Sequence, residues 1–154
     1  MSEDALFTRR PMGMRLAMVV RLWRAVIDQA ITDTGLTQSS WTVLMQLHQL
    51  GHHVSVSELA EVHGIELPPL MRTLSQLEKQ GYLLRVTSPY DKRIRLLTLT
   101  PEGQAVLEKL TCVIETYQQR VSQDIPADQM AQFSDTLNQI ACNLRTIREE
   151  ENKI

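Results

Sequence analysis

The 154-residue sequence predicts a mainly α fold with a small β wing. Three observations carry that prediction. Apolar residues recur every three or four positions over most of the chain, in segments long enough for helices. Two of these segments, "SVSELAEVHG" and "IELPPLMRTLSQLEKQG", follow one another with only a short break, which is the pattern of a helix-turn-helix. Two β-leaning stretches, "YLLRVTS" and "IRLLTLT", then flank "PYDKR" and read as a two-stranded hairpin, the wing. The organisation is a winged helix-turn-helix over residues 36–100, an N-terminal dimerisation helix in residues 1–34 and C-terminal dimerisation helices in residues 101–154.

The first helix should run from Met12 to about Asp33. Its apolar positions Met12, Leu16, Val19, Trp23, Val26 and Ala30 step by 4, 3, 4, 3, 4, with Val20, Ile27 and Ile31 as a second stripe beside them. Gly35 ends it, and the ten residues that open the chain read as a loop. Thr37 caps a second helix through Trp41, Leu44 and Leu47 to Leu50, which "GHHV" breaks. Ser55 and Glu58 have capping-box spacing, and Val54 with Leu59 has that of a hydrophobic staple, so a short third helix follows, stopped by Gly64. In the fourth, Pro68 and Pro69 fit only a first turn, where backbone N–H groups lack intrahelical partners anyway. Leu70, Leu74 and Leu77 form its inner face and Gly81 ends it. Beyond the hairpin, Thr100 and Pro101 supply the N-cap and first-turn proline of a fifth helix. Pro126 opens a sixth, where Met130, Phe133, Leu137, Ile140, Leu144 and Ile147 are spaced 3, 4, 3, 4, 3 as a heptad seam.

Leu44, Leu47, Leu59, Leu70, Leu74, Leu77, Leu83 and Leu97 give the middle third its own small core. The first and last helices add about a dozen large apolar groups that this core cannot cover. Pairing with a second copy covers them, and a two-fold homodimer is the commonest such assembly.

At 43% hydrophobic and 22% charged, the composition is that of an ordinary soluble protein. No apolar run approaches the ~20 residues needed to cross a bilayer. The N-terminus lacks a clean apolar segment with a small-residue cleavage site, so a cytoplasmic location and no membrane partner are expected. Cys112 and Cys142 read as buried small hydrophobes. The alternative, a redox-sensing thiol, lacks a Lys, Arg or His within two residues to lower its pKa. His48, His52, His53 and His63, with Glu58, Glu61 and Glu66 nearby, match no standard zinc spacing. There is no Gly-rich phosphate loop and no Ser-His-acid set. No enzyme, metal or cofactor is implied.

Net charge is −2, but its distribution is uneven. Residues 1–71 carry five bases and seven acids, and residues 96–154 carry five bases and nine acids. Between them, Arg72, Lys79, Arg85, Lys92, Arg93 and Arg95 face only Glu78 and Asp91, a local +4 that an anionic partner would feel. On the fourth helix, period 3.6 turns Leu67, Pro68, Met71, Arg72, Ser75, Gln76 and Lys79 outward. As a recognition helix it would point its N-terminal end into a major groove. Arg72 could then donate to guanine O6 and N7, while Ser75, Gln76 and Lys79 suit phosphates. Such a face is also an ordinary solvated helix surface, and the wing decides between the two. Arg93 at its tip fits the narrow, electronegative minor groove of A·T-rich duplex. Asp91, two residues earlier, can hold the guanidinium aimed, and Lys92 meets backbone phosphate. The bland alternative is an exposed ion pair worth ~0–1 kcal/mol that keeps a hairpin soluble.

The stretch "GIELPPLMRTLSQLEKQGYLLRVTSPYDKRIRLLTLTPEG" resembles the winged-helix core of the MarR family of bacterial transcriptional regulators. The family pattern L-x-x-x-G-x-(I/L/V)-x-R, D-x-R, L-T-x-x-G appears as Leu77 to Arg85, Asp91 to Arg93 and Leu99 to Gly103. "VRLWRAVID", "GLTQSSW" and "RTLSQLEKQG" look most like the SlyA branch. The resemblance implies a homodimer that grips a pseudo-palindromic operator in double-stranded DNA. It makes Arg93 the minor-groove arginine, Asp91 its partner and Arg72 a recognition-helix contact. Arg85, at the base of the wing, is expected to hold Asp91 or a phosphate, and Arg95 is counted among the DNA-binding residues. It also implies a small aromatic carboxylate effector that weakens DNA binding, held by Arg21, Thr37, Trp41 and Met45, although Trp41 and Met45 equally suit the core of the second helix.

One departure from the family is informative. Where relatives start the recognition helix with polar residues, this chain has Leu67, Pro68, Pro69 and Leu70. The two prolines remove two N–H donors, and Leu67 and Pro68 can touch a thymine methyl but not hydrogen-bond a base. Direct readout should therefore be poor and shape readout through Arg93 correspondingly important. A winged-helix dimer that acts through protein contacts, with weak or non-specific DNA binding, is the alternative function.

Overall fold

The computed structural model describes residues 3–51, 53–63 and 67–153, and gives only the backbone of Glu3, Asp4 and His63. The expected stop at Gly64, and His52 and Glu66 of the histidine–glutamate set, lie outside the described residues. The chain forms two compact units, residues 1–115 and 116–154.

The first unit opens with a short helix, α1 (Glu3–Thr8), where the sequence suggested a loop. Arg15, one turn into the next helix, lies over the Phe7 ring at 5.1 Å, a cation–π contact across the α1–α2 corner. α2 (Met12–Ala30) stops short of the expected Asp33, because Thr32–Thr34 tighten into a 3-10 turn before Gly35. Helix α3 (Gln38–Leu50) starts at Thr37, whose hydroxyl accepts the Ser40 N–H. The Ser40 hydroxyl reaches back to the Thr37 N–H, which completes a capping box. The Asp28 carboxylate accepts the Gln38 N–H at 2.6 Å, which ties the end of α2 to the start of α3.

Helix α4 (Val56–His63) carries the predicted box in full. Glu58 Oε2 accepts the Ser55 N–H at 2.7 Å, and Ser55 Oγ accepts the Glu58 N–H at 3.1 Å. These bonds to Ser55 hold the Glu58 carboxyl below its ordinary pKa, because they favour the charged form. Helix α5 (Leu67–Lys79) follows and buries Leu70, Leu74 and Leu77.

The wing has three strands rather than two. β1 (Val54–Ser55), β2 (Leu83–Thr87) and β3 (Arg95–Leu99) form an antiparallel sheet in the order β1-β3-β2. Val54 pairs with Leu97, and Leu97 pairs on its other side with Arg85. Two residues are too few for an alternation signal, so the extra strand has no sequence signature. It exists because the staple residue Val54 is buried against the sheet just before the α4 cap.

The motif glycines mark the joints of this unit. At the end of α5, the Tyr82 N–H bonds Leu77 O and the Gly81 N–H bonds Glu78 O, each at 3.0 Å, with Gly81 at φ 80°. This is a Schellman ending, and it needs a residue that tolerates the left-handed region. Helix α6 (Pro101–Val121) begins where Thr100 Oγ1 donates to Gly81 O at 2.6 Å and accepts the Gly103 N–H at 3.0 Å. A Cβ on Gly103 would lie 1.9 Å from Tyr82 O, so only glycine lets α6 approach the start of β2 this closely.

All eight leucines assigned to the core are buried, and Ile27, Ile31, Leu36, Val43, Leu107, Leu110 and Ile114 join them. In the second unit, α7 (Ala127–Glu151) buries no residue, and its seam positions Phe133, Leu137, Leu144 and Ile147 are exposed. Cys112 and Cys142 are exposed and not disulfide-bonded, contrary to the expected burial, because Cys112 lies off the buried Leu107, Leu110 and Ile114 stripe of α6 and α7 buries no residue.

Candidate nucleic-acid interface

Helix α5 and the β2–β3 hairpin are adjacent in the chain and packed together in the first unit. Leu67, Pro68, Met71, Arg72, Ser75, Gln76 and Lys79 are all exposed, as the helical period predicts. Arg72 and Lys79 have no hydrogen bond or ion pair to another described residue and project into solvent. Ser75 and Gln76 are already engaged. Ser75 Oγ accepts from Arg85 Nη2 at 2.9 Å, and Gln76 Nε2 donates to Gly35 O at the outer limit of 3.5 Å.

Arg85 does not hold Asp91. Its Nε lies 2.8 Å from Glu78 Oε2, and its side chain is only 17% exposed. The Nε hydrogen does not point at an acceptor, so this contact is an ion pair, and the aligned hydrogen bond goes to Ser75. Arg85 points inward from β2 onto α5 because it pairs with buried Leu97, well below the wing tip. Arg95 pairs with Thr87 higher on the ribbon and donates to the Thr87 hydroxyl.

The tip is built by hydrogen bonds rather than by packing. The Ser88 N–H donates to Ile94 O at 2.9 Å and closes the hairpin. Ser88 Oγ, on a residue only 7% exposed, accepts the Tyr90 N–H at 3.2 Å and the Asp91 N–H at 3.4 Å. The Ile94 N–H donates to Asp91 O at 3.0 Å, and Asp91 Oδ1 accepts the Arg93 N–H at 2.9 Å. Asp91 therefore shapes the turn with its side chain, as Asp does at the first position of a β-turn. It also brackets the guanidinium, with Oδ1 to Nε at 3.3 Å and Oδ2 to Nη2 at 3.5 Å. The side-chain pair is longer than the backbone bond, so the turn is held tighter than the arginine is aimed. Arg93 stays 92% exposed. Lys92 is exposed beside it.

Sequence reasoning missed two parts of this tip. Ser88 acts as a clamp, and the turn-forming Ser-Pro pair was the available signal. Tyr90 stands 97% exposed, which no local pattern encodes.

Of the four residues named for an effector, Thr37 caps α3, Trp41 and Met45 follow it at four-residue steps along that helix, and Arg21 is on α2. The Thr37 hydroxyl is used in the α3 cap. Trp41 Nε1 donates to Thr111 Oγ1 at 3.1 Å, a partner 70 residues away. Arg21 lines a recess of about 280 Å³ with Arg10, Met14, Ala17 and Met18. Met45 is half-buried on α3. A larger recess, about 440 Å³, lies between the end of α3 and the start of α6, where His48 Nδ1 meets Gln104 Oε1 at 3.0 Å.

The MarR family model matches residues 36–94, which include α3 to α5, β2 and the wing tip. Over 88% of this chain and 99% of the other, the sequence is 30% identical to the transcriptional regulator PA3341, with a TM-score of 0.77. The transcriptional repressor CouR, bound to a 23-mer DNA duplex, is 25% identical over 85% of this chain and 92% of its own, with a TM-score of 0.77. A mutant MarR from E. coli, complexed with operator DNA, shares the fold at 24% identity and a TM-score of 0.78, covering 84% of this chain and 93% of its own.

Proposed function

The chain belongs to the MarR family of transcriptional regulators, and we propose from that premise that it binds double-stranded DNA sequence-specifically, as a homodimer, at pseudo-palindromic A·T-rich operators. It is a regulator and not an enzyme. The observation that carries the proposal is Arg93, 92% exposed at the end of a locked turn and bracketed by Asp91. An arginine so presented suits a narrow minor groove, where the potential is most negative. Arg72 and Lys79 on α5 face the adjacent major groove, and Lys92 meets phosphate. Arg85 and Ser75 act by holding α5 to the wing. The apolar start of α5 leaves few base-edge donors, so A·T tracts under the wings supply much of the specificity through shape.

The exposed apolar stripe of α2 and the unburied seam of α7 each support pairing with a second copy. "VRLWRAVID" and "GLTQSSW" support placement in the SlyA-like branch. An aromatic carboxylate effector would find its cation in Arg21, beside Arg10. No helix among the described residues is long and apolar enough to cross a membrane. A regulator that acts on the chromosome works in the cytoplasm, at the nucleoid.

Selection of bound fragments from random duplex DNA tests the proposal. The expected result is two-fold-related half-sites with A·T tracts at wing spacing, and affinity that falls steeply with salt, with a log–log slope of several units. Recovery of an unselected pool with a shallow salt slope would favour action through protein contacts instead.

A further inference from the structure

Tyr90 is 97% exposed, whereas the chain's other two tyrosines, Tyr82 and Tyr117, are half-buried. An aromatic side chain at work buries roughly 150–250 Å². No described residue of this subunit uses the Tyr90 ring. Yet its backbone is not loose. The Tyr90 N–H is held by Ser88 Oγ at 3.2 Å, and Ser88 is itself buried and bonded to Ile94. The turn thus presents a rigidly mounted, spare aromatic ring, and the entropy of ordering its backbone is already met by folding. The same turn presents Lys92 and Arg93, both exposed. A surface complementary to this tip must offer negative charge together with a small apolar wall and a hydrogen-bond acceptor for a phenol. The sugar–phosphate edge of a DNA groove offers all three.

We propose that Tyr90 is a further DNA-contact residue of the wing. Its ring lies against the deoxyribose wall of the groove that Arg93 enters, and its hydroxyl donates to a flanking phosphate. This rests on the reading that the wing lodges in DNA. Because the contact is to backbone, it adds affinity without choosing sequence. It also compensates for the phosphate-binding N–H groups that Pro68 and Pro69 remove from the start of α5.

The test compares Tyr90→Ala, Tyr90→Phe and Arg93→Ala in the full-length protein, by fluorescence anisotropy on a selected operator and on a random duplex. Tyr90→Ala should weaken binding roughly ten-fold on both duplexes and Tyr90→Phe roughly three-fold, the sizes set by losing a ring contact and one solvent-exposed hydrogen bond of ordinary net strength. The Tyr90→Phe loss should vanish on a duplex whose phosphates at the wing site are neutral methylphosphonates. Melting of Tyr90→Ala should match the parent, since the ring touches almost nothing, and a lowered melting temperature would show that the ring is not spare. If Arg93→Ala weakens binding and Tyr90→Ala does not, the proposal for Tyr90 fails and the wing reading stands. If both bind like the parent, the wing reading fails and takes this one with it. A loss on the operator alone would mean base readout, and Tyr90→Phe equal to the parent would mean no phosphate bond. Either result overturns the contact as stated.

Discussion

The base and the tip of the wing each contain one arginine–carboxylate pair, and the two pairs do opposite things. At the base, Arg85 and Glu78 come from a strand and a helix, and the arginine is 17% exposed. It pairs its charge with Glu78, donates to Ser75 and so joins β2 to α5. At the tip, Arg93 and Asp91 come from one turn, and the arginine is 92% exposed. Its guanidinium bonds are long, 3.3 and 3.5 Å, and most of its donors face solvent. An arginine buried between elements is a structural rivet, and one extended on a locked turn is free to meet an anion. The two share charge, residue type and ribbon, so environment alone separates structure from function here.

The comparison can be broken most severely at the base. Gly103→Ala forces a Cβ to within 1.9 Å of a backbone oxygen, which flexible side-chain adjustment cannot relieve. A loss of about 4 kcal/mol or more is expected, enough to unfold a marginal domain at ordinary temperature and readable by circular-dichroism melting. At the tip, Arg93→Ala should leave melting unchanged and weaken operator binding roughly 10–100-fold. Arg85→Ala should do the reverse. It strands Glu78 and the Ser75 hydroxyl, costs about 1–2 kcal/mol of stability, and lowers DNA affinity far less than Arg93→Ala when measured well below its melting temperature. Should Arg85→Ala instead abolish binding in a fully folded protein, the base would have to be counted as part of the interface.

Asp91 sharpens the contrast. Asp91→Asn keeps an oxygen for the Arg93 N–H, so the turn should survive and binding should fall only a few-fold, the scale of an exposed ion pair. Asp91→Ala removes both the turn bond and the bracket and should bind less well than Asp91→Asn. Equal behaviour of the two would assign Asp91 entirely to aiming.

The smallest effect lies at the far edge of the same sheet, where β1 leads into α4. The Glu58 carboxyl is held below its ordinary value of 4.5 by the Ser55 bonds. Because its folded pKa is depressed, its contribution is present above the unfolded value and is lost as pH falls through the folded one. Acid titration of stability should show this loss in the parent and not in Glu58→Gln, which keeps an oxygen for the Ser55 N–H but cannot titrate.

Much of this fold is legible in short stretches. Thr37 with Ser40, Ser55 with Glu58, Thr100 with Gly103 and Leu77 with Gly81 and Tyr82 all act within five residues, and their chemistry is recognisable without knowing what lies elsewhere. The leucine core was legible for the same reason, since helical period alone sorts Leu70, Leu74 and Leu77 from Arg72, Ser75 and Lys79. At the site, the exposed Arg93 and its Asp91 bracket follow from a turn only four residues long.

What could not be read concerns partners distant along the chain. Arg85 could have faced the wing tip or the helix, and its pairing with buried Leu97 turned it inward. Val54 became a strand residue only because Leu97 lay beside it. Trp41 found Thr111, a partner 70 residues away. From residue order alone come the caps, the turn that carries Arg93 and the set of side chains that must be buried, because those energies are settled among near neighbours. Which arginine is a rivet and which is a probe was decided by the packed tertiary structure, because solvent exposure belongs to the fold and not to the residue.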